Sequence, residues 1–199
     1  MQYIDYDKIF VSSTVEDLVE TRNTAEKAIR KLGFIPVLSE KVKFKYGPAK
    51  VDSHDHCIDE ALKCQNLIYI VGNEYGGKYA GSKYKKYADE IKHKSKGKIE
   101  EPSISLMEYY VARCNNVDCK VFVLKNVLDE KTAKKKNQQL QNQKCDVRVF
   151  NIVNFITHIT VNGKREGNWF NTFSNDTHLK NIINNMEIKS LLVDHRIKR

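Results

Sequence analysis

The sequence predicts an α/β fold in which a parallel sheet is covered by helices on both faces. Short apolar runs rich in β-branched and aromatic residues, typical of buried strands, alternate with segments of helical periodicity. Connections of this kind are right-handed, so the strands lie parallel and their carboxyl ends share one edge of the sheet. Four strands are predicted, at Lys8–Ser12, Phe34–Leu38, Asn66–Gly72 and Lys120–Leu124.

Length and composition indicate an ordinary globular chain. The 199 residues are 41% hydrophobic and 30% charged, which suits a buried core and a solvated surface. No apolar run approaches the roughly 18 residues needed to span a bilayer, and the first residues do not resemble a secretory signal. Five cysteines without regular pairing spacing indicate a reducing compartment. We therefore expect a soluble cytoplasmic protein with no membrane partner.

The formal net charge of +9 is concentrated in lysine-rich stretches, of which the longest runs from Lys78 to Lys98. No RNP-like motif, zinc-finger spacing or basic heptad array accompanies these lysines. Solvated loops and helix faces are therefore the favoured interpretation, and binding of a nucleic acid or another phosphate-rich partner is the alternative.

Local signals place the first helix and the strands beside it. Thr14 and Asp17 have the spacing of a capping box, which predicts Thr14 as the N-cap of the first helix. Gly33 stands where a helix-ending glycine belongs. Pro36 cannot donate a backbone hydrogen bond, so the second strand is expected near an edge of the sheet. The most apolar strand, Asn66–Gly72, is expected at its centre.

A polar insertion occupies residues 77–102 and is too long for an ordinary connection. It is predicted to be a lid, a partner-binding loop or a disordered excursion. Ser103 is expected to cap the helix that follows it and runs to Arg113, and Asp52 or Ser53 is expected to cap the helix before the third strand.

The last third of the chain gives weaker signals. The expected elements are a polar helix over Asp129–Gln143, a hairpin turn at Thr160–Lys164, a strand over Trp169–Phe173 and a closing helix over Ser174–Leu192. We accordingly divide the chain into an α/β core, residues 1–128, and a mostly helical extension, residues 129–199, that packs on it.

Polar residues gather where the predicted strands end. Ser12 and Ser13 follow the first strand, the glycine-containing turn Gly72–Gly77 follows the third, and Ser103 begins the next helix. In open α/β sheets, ligands bind outside the carboxyl ends of the strands, so this edge is the candidate site. Neither a Walker A sequence nor a GxGxxG fingerprint is present, which argues against a P-loop ATPase and a conventional dinucleotide-binding domain.

Ser105 and Glu108 are the candidate catalytic residues at this edge of the sheet. Three residues apart at a helix start, they share one helix face. A carboxylate there could stabilise or trap an oxocarbenium-like sugar, as glycosyl chemistry requires. The same spacing is that of a capping box, and a first-turn glutamate also interacts with the helix dipole, so purely structural roles are the alternative.

His54, His56 and Cys57 are residue types that bind zinc. Neighbouring residues at one helix start cannot converge on a tetrahedral ion without further ligands from elsewhere in the chain. We therefore predict neither a metal nor a resident cofactor.

Three segments resemble a known family: KIFVSSTVEDLVETRNTAEKAIRKLGFIPV, CIDEALKCQNLIYIVGNEYGG and SISLMEYYVA. They resemble the domain of unknown function 4062, which is similar to TIR domains and to nucleoside 2-deoxyribosyltransferases. The resemblance covers residues 8–125 and implies a flavodoxin-like, TIR-like sheet.

The resemblance also implies roles for individual residues. Glu108 matches the glutamate that acts on the N-glycosidic bond in TIR NAD hydrolases and in deoxyribosyltransferases, and Ser105 occupies the hydroxyl position three residues before it. Ser12 and Ser13 match the loop that lines the nucleotide pocket in these relatives. The predicted substrate-binding set is completed by Asp17, Arg22, Tyr75, Gly76 and, at the helix start, Ser103.

The activity implied by the resemblance is cleavage of the N-glycosidic bond of a nucleotide, with NAD as the substrate. Self-association or a partner protein is implied as well, together with a role in antiphage or cell-death signalling. Two departures from the family are the long insertion and Leu106, which replaces an often acidic residue and leaves one carboxylate in the motif. The alternatives are a deoxyribosyltransferase with Glu108 as covalent nucleophile and a non-catalytic module that senses a nucleotide or binds a protein.

Overall fold

The structure, a computed structural model, describes residues 5–39, 53–135, 145–159 and 169–186. Its strands form one parallel sheet in the order β2-β1-β3-β4-β5. This is the strand order of flavodoxin-like folds, so the predicted fold class is confirmed. The strands are β1 Asp5–Ser12, β2 Ile35–Leu38, β3 Cys64–Val71, β4 Asp118–Leu124 and β5 Phe170–Phe173.

Helices pack on both faces of this sheet. In the described residues they are α1 Val19–Lys31, α2 Ser53–Lys63, α3 Lys85–Lys94, α4 Ile104–Cys114, α5 Lys125–Lys135, α6 Val147–His158 and α7 Asp176–Asn184. Successive strand residues point to opposite faces, so Ile9 and Val11 of β1 belong to a core cluster shared with α1 and α7, while Phe10 belongs to one shared with α2, α4 and α6. Burial on both faces explains why the central strand β3 is continuously apolar from Leu67 to Val71.

The predicted positions of the strands within the sheet are confirmed. β3 lies at the centre, and every residue from Asn66 to Val71 is buried. β2 forms one edge of the sheet with Pro36 in it, and β5 forms the other. Gly33 has φ +87° directly after the helix, as a C′ glycine requires.

The prediction that Thr14 caps the first helix is wrong. α1 begins at Val19 and its N-cap is Leu18, which makes no side-chain capping bond. The Thr14 hydroxyl donates to the Asp17 carboxylate, and that carboxylate accepts the backbone amides of Asn73 and Glu74. The Thr14–Asp17 segment is therefore a loop that joins β1 to the turn after β3. Asp17 does not cap α1 because its carboxylate binds the backbone amides of that turn.

The insertion is folded, so its interpretation as a disordered excursion is wrong. It contains α3, which buries Ile91, and it returns through the buried Ile99. The Tyr110 hydroxyl of α4 donates to Glu90 of α3 at 2.9 Å. The insertion thus extends the layer formed by α2 and α4.

Asp55 of α2 anchors the start of the insertion. Its carboxylate accepts the Tyr79 hydroxyl and the backbone amides of Ser82 and Lys83, the last two at 3.1 and 3.0 Å. Burial raises the pKa of Asp55, but the hydrogen bonds from Tyr79 and from the two amides outweigh burial and bring it below the ordinary 3.8. The anchor is therefore formed by an ionised carboxylate.

Asp55→Ala is expected to lower the free energy of unfolding by about 1–3 kcal/mol at pH 7, because the Tyr79 hydroxyl and two backbone amides lose their acceptor. A carboxylate whose pKa is lowered by folding contributes stability above its unfolded pKa, and that contribution is lost as the pH falls through the folded value. The difference between the wild type and the variant should therefore shrink below pH 3.8. Urea unfolding at pH 7 and at about pH 3 measures both values, and an unchanged difference would contradict an ionised anchor.

The C-terminal part supplies the last strand of the sheet and the helix that covers it. The predicted strand over Trp169–Phe173 is observed as β5, and the closing helix is α7, which begins after the N-cap Asn175. The polar helix begins at Lys125, directly after β4, rather than at Asp129. α6 was not predicted, and residues 136–144 and the predicted hairpin at 160–164 lie outside the described residues. No helix among the described residues has the length and apolar character that crossing a membrane requires.

Candidate active site

A cavity of about 770 Å³ lies at the carboxyl ends of the strands. Its walls come from the segments that follow β1, β2 and β3, from the starts of α2 and α4, and from the residues that lead into α6. This is where the topology of an open α/β sheet places a ligand site. Among the residues predicted for the site, those that line the cavity are Ser13, Tyr75, Gly76, Ser105 and Glu108.

Glu108 is a buried carboxylate in the cavity wall. Glu108 is only 3% exposed, although it lies on α4, which begins at the cavity. The Ser12 hydroxyl, at the end of β1, donates to Glu108 Oε2 at 2.6 Å and lies 3.1 Å from the Ser105 carbonyl oxygen. A strand residue thus fixes the orientation of a helix carboxylate. Ser12 supports the wall from behind and does not line it.

The start of α4 uses Ser103, not Ser105, as its cap. The Ser103 hydroxyl accepts the Leu106 amide at 3.3 Å and lies 3.4 Å from the Ser105 hydroxyl. The capping interpretation of Ser105 and Glu108 is therefore wrong, because Glu108 bonds to Ser12 instead. This leaves the Ser105 and Glu108 side chains together on the cavity side of the helix.

Arg22 lies behind the cavity wall. It is 1% exposed, and its guanidinium donates to the Ser13 hydroxyl at 2.6 Å and to the Ser39 hydroxyl at 3.5 Å. Both serines line the cavity. Arg22 thereby joins the residues that follow β1 and β2, and its contribution to the site is the position of these two hydroxyls.

Asp17 holds the turn after β3. Its Oδ2 atom accepts the amides of Asn73 and Glu74 at 2.9 and 3.1 Å, and it does not line the cavity. Gly76 has φ +78°, a conformation that favours glycine, and a Cβ there would lie 2.7 Å from the Thr14 methyl group. The turn is therefore packed closely against the loop after β1.

Tyr75 forms a flat wall beneath an arginine. Its hydroxyl donates to the Glu101 carbonyl oxygen at 2.8 Å, and burial raises its pKa to about 12, so the phenol stays protonated at neutral pH. The Arg148 guanidinium lies 4.6 Å from the centre of the Tyr75 ring and forms an ion pair with Asp146 at 2.6 Å. Hydrogen bonding to the partner lowers the pKa of Asp146 and raises that of Arg148.

The segment considered for zinc has a different role. His54 Nδ1 accepts the Ala80 amide at 3.0 Å, and Asp55 binds the amides of the insertion. Within the described ranges, no group of three or more His, Cys, Asp or Glu side chains is arranged to hold a metal ion.

Sequence reasoning missed much of the far wall. Arg148, Asp146 and Cys145 line the cavity. Asp146 caps α6 by accepting the Arg148 amide at 2.8 Å, so an aspartate before an apolar helical run was a signal for this helix. Its place at the cavity depends on residues distant along the chain. Burial raises the pKa of the Cys145 thiol to about 12, so this cysteine is protonated at neutral pH and unsuited to nucleophilic chemistry. Asn73 and Glu74 also line the cavity and belong to the turn that the sequence did indicate.

Fold and site together define a flavodoxin-like α/β domain with a carboxylate-bearing cavity at the carboxyl edge of its sheet. The chain belongs to the family described as domain of unknown function (DUF4062), which it matches over residues 8–186. The match extends beyond residue 125 and includes β5 and α7. The chain matches no curated protein and no solved structure.

Proposed function

We propose that this chain cleaves the N-glycosidic bond of a nucleotide, with NAD as the substrate and water as the acceptor. The observation that carries the proposal is the Glu108 carboxylate, which lies in the wall of a 770 Å³ cavity and is oriented by Ser12 at 2.6 Å. The cavity volume falls in the range of about 300–1,000 Å³ that is usual for small-molecule and cofactor sites.

The proposed reaction breaks the bond between C1′ of the ribose and the nicotinamide nitrogen. The bond's electron pair stays with nicotinamide, which leaves as a neutral ring, and positive charge develops on the ribosyl group. Glu108 stabilises this charge in a site of low dielectric, where a fixed carboxylate is more effective than in water. Water then adds at C1′ and releases a proton, giving ADP-ribose.

The leaving group explains why a single carboxylate is sufficient. Nicotinamide carries a positive charge in NAD and needs no proton to depart, whereas a neutral base or an alcohol requires a general acid. The Tyr75 phenol and the Cys145 thiol both have pKa values raised to about 12, so neither is ionised at neutral pH and neither acts as a general base towards the attacking water. Ser105, beside Glu108 on the cavity side of α4, is the candidate to orient a ribose hydroxyl.

The test is incubation of the purified chain with NAD and measurement of released nicotinamide by chromatography. Nicotinamide and ADP-ribose in equal amounts are expected. Protein concentration is varied over about two orders of magnitude. The proposal includes self-association of the TIR type, and an activity that requires an assembly rises with protein concentration. A role in defence or cell-death signalling would follow from depletion of NAD.

Two other outcomes would assign other functions. A new deoxynucleoside formed when a deoxynucleoside donor and a different free base are supplied, with release of the donor's own base, would favour the deoxyribosyltransferase alternative. Binding of NAD without nicotinamide release at any protein concentration would favour a nucleotide-sensing module and contradict the hydrolase.

A further inference from the structure

We propose that Arg148 is the phosphate-binding residue of this cavity, so that the site takes nucleotides that carry a 5′-phosphate or pyrophosphate in preference to nucleosides. The assignment rests on the proposed function in one respect: the ribosyl end of the same ligand lies at Glu108. It adds the position of the other end and the class of substrate.

The guanidinium of Arg148 is already held in the geometry that phosphate binding needs. Asp146 accepts from Nε at 3.0 Å and from Nη2 at 2.6 Å, while the Tyr75 ring lies beneath the group with its centre 4.6 Å away. Nη1 donates to no described residue. A planar arginine fixed in this way on one side loses little freedom when its remaining donors bind a phosphate oxygen.

The segment that carries Arg148 is itself fixed to the sheet edge. The Asp146 amide donates to the Asn73 carbonyl oxygen at 2.7 Å, and the Cys145 amide donates to Glu130 Oε2 at 2.9 Å. Asn126 bridges the two supports by donating to Asn73 Oδ1 and Glu130 Oε1. The segment that carries Arg148 is thus held by hydrogen bonds to the turn after β3 and to α5, which favours the precision that a binding site requires.

The described residues that line the cavity carry more negative than positive charge. Glu16, Glu74, Glu108 and Asp146 line it, and Arg148 is the one lysine or arginine among the described lining residues. A phosphate beside Glu16, Glu74 or Glu108 would face a carboxylate, whereas the Asp146 carboxylate is already paired with Arg148. Beside Arg148 it meets an opposite charge, so a dinucleotide is oriented with its pyrophosphate there and its cationic nicotinamide towards the acidic side.

The experiment is titration calorimetry with ADP-ribose and with adenosine, neither of which requires turnover. Arg148→Gln is expected to weaken ADP-ribose binding about tenfold to hundredfold, the loss of one or two charge-assisted hydrogen bonds. Adenosine affinity should be unchanged in the same variant. Arg148→Lys keeps the positive charge but lacks the planar guanidinium. Its affinity for ADP-ribose should lie between those of the wild type and Arg148→Gln. Arg30→Gln is the matched control, since Arg30 also pairs with a nearby carboxylate, Glu26, but on α1.

Each outcome decides the assignment. Equal ADP-ribose affinity in the wild type and Arg148→Gln overturns it, and so does equal affinity of the wild type for ADP-ribose and adenosine. Arg148-dependent binding in a protein that releases no nicotinamide from NAD leaves the phosphate site standing and refutes the hydrolase. NAD hydrolysis by a protein whose ADP-ribose affinity does not depend on Arg148 supports the hydrolase and refutes the phosphate site.

Discussion

Replacing Glu108 by glutamine is expected to reduce kcat for NAD hydrolysis by about 10²–10³, the usual effect of removing a pre-positioned group that stabilises transition-state charge. Glutamine keeps the shape of the side chain and an oxygen that can accept from Ser12. It cannot oppose the positive charge that develops on the ribosyl group. KM should change little, because the interaction is strongest in the transition state.

Nicotinamide release under single-turnover conditions gives the rate of this step without interference from product release. Glu26→Gln is the matched control, since Glu26 is an ion-paired glutamate on α1 rather than in the cavity. Thermal unfolding of both variants checks that a loss of rate does not reflect a loss of fold. Full activity in Glu108→Gln would remove Glu108 from catalysis.

Gly72→Ala is expected to lower the free energy of unfolding by about 2–3 kcal/mol, at the upper part of the range for overpacked cores. A Cβ at this position would lie 2.5 Å from Asp17 Oδ2 and 2.9 Å from Leu18 Cδ1. Neither atom can move without cost, because Leu18 is buried and Asp17 accepts the amides of Asn73 and Glu74. The substitution therefore separates the loop after β1 from the turn after β3.

A double-mutant cycle with Asp17→Ala tests this cause. Removing the Asp17 carboxylate leaves two amides without their acceptor but also makes room for the new methyl group. The two substitutions together should therefore cost less than the sum of their separate effects. Denaturant unfolding measures all three variants, and strictly additive losses would show that the methyl group and Asp17 do not meet.

The arrangement of the sheet could be predicted because its signals are local. The β-branched runs of β1, β3 and β4, the proline in β2 and the cap at Ser103 each act within a few residues, and the structure has them where expected. Thr14 misled for a physical reason. Its pattern with Asp17 is that of a cap, but the backbone amides that Asp17 accepts lie 56 and 57 residues further along the chain.

The candidate site was predictable at the loop after β1, the turn after β3 and the start of α4, but not at the wall that leads into α6. The α4 motif with Ser105 and Glu108 could be read from the sequence, because a helix start at the carboxyl edge of a parallel sheet faces the ligand region. Ser12 as the partner of Glu108 is a contact across 96 residues, which spacing cannot show. The Asp146 cap could mark the start of α6, but the position of Arg148 at the cavity depends on contacts with Asn73 and Glu130, which are distant along the chain.

The most direct measurement is a crystal structure of the Glu108→Gln variant with NAD bound. Our proposal predicts C1′ of the nicotinamide ribose within about 4 Å of the side chain at position 108, close to the separation of reacting groups in productive complexes. It also predicts the pyrophosphate beside Arg148. NAD bound with its nicotinamide ribose away from position 108 would contradict the proposed chemistry.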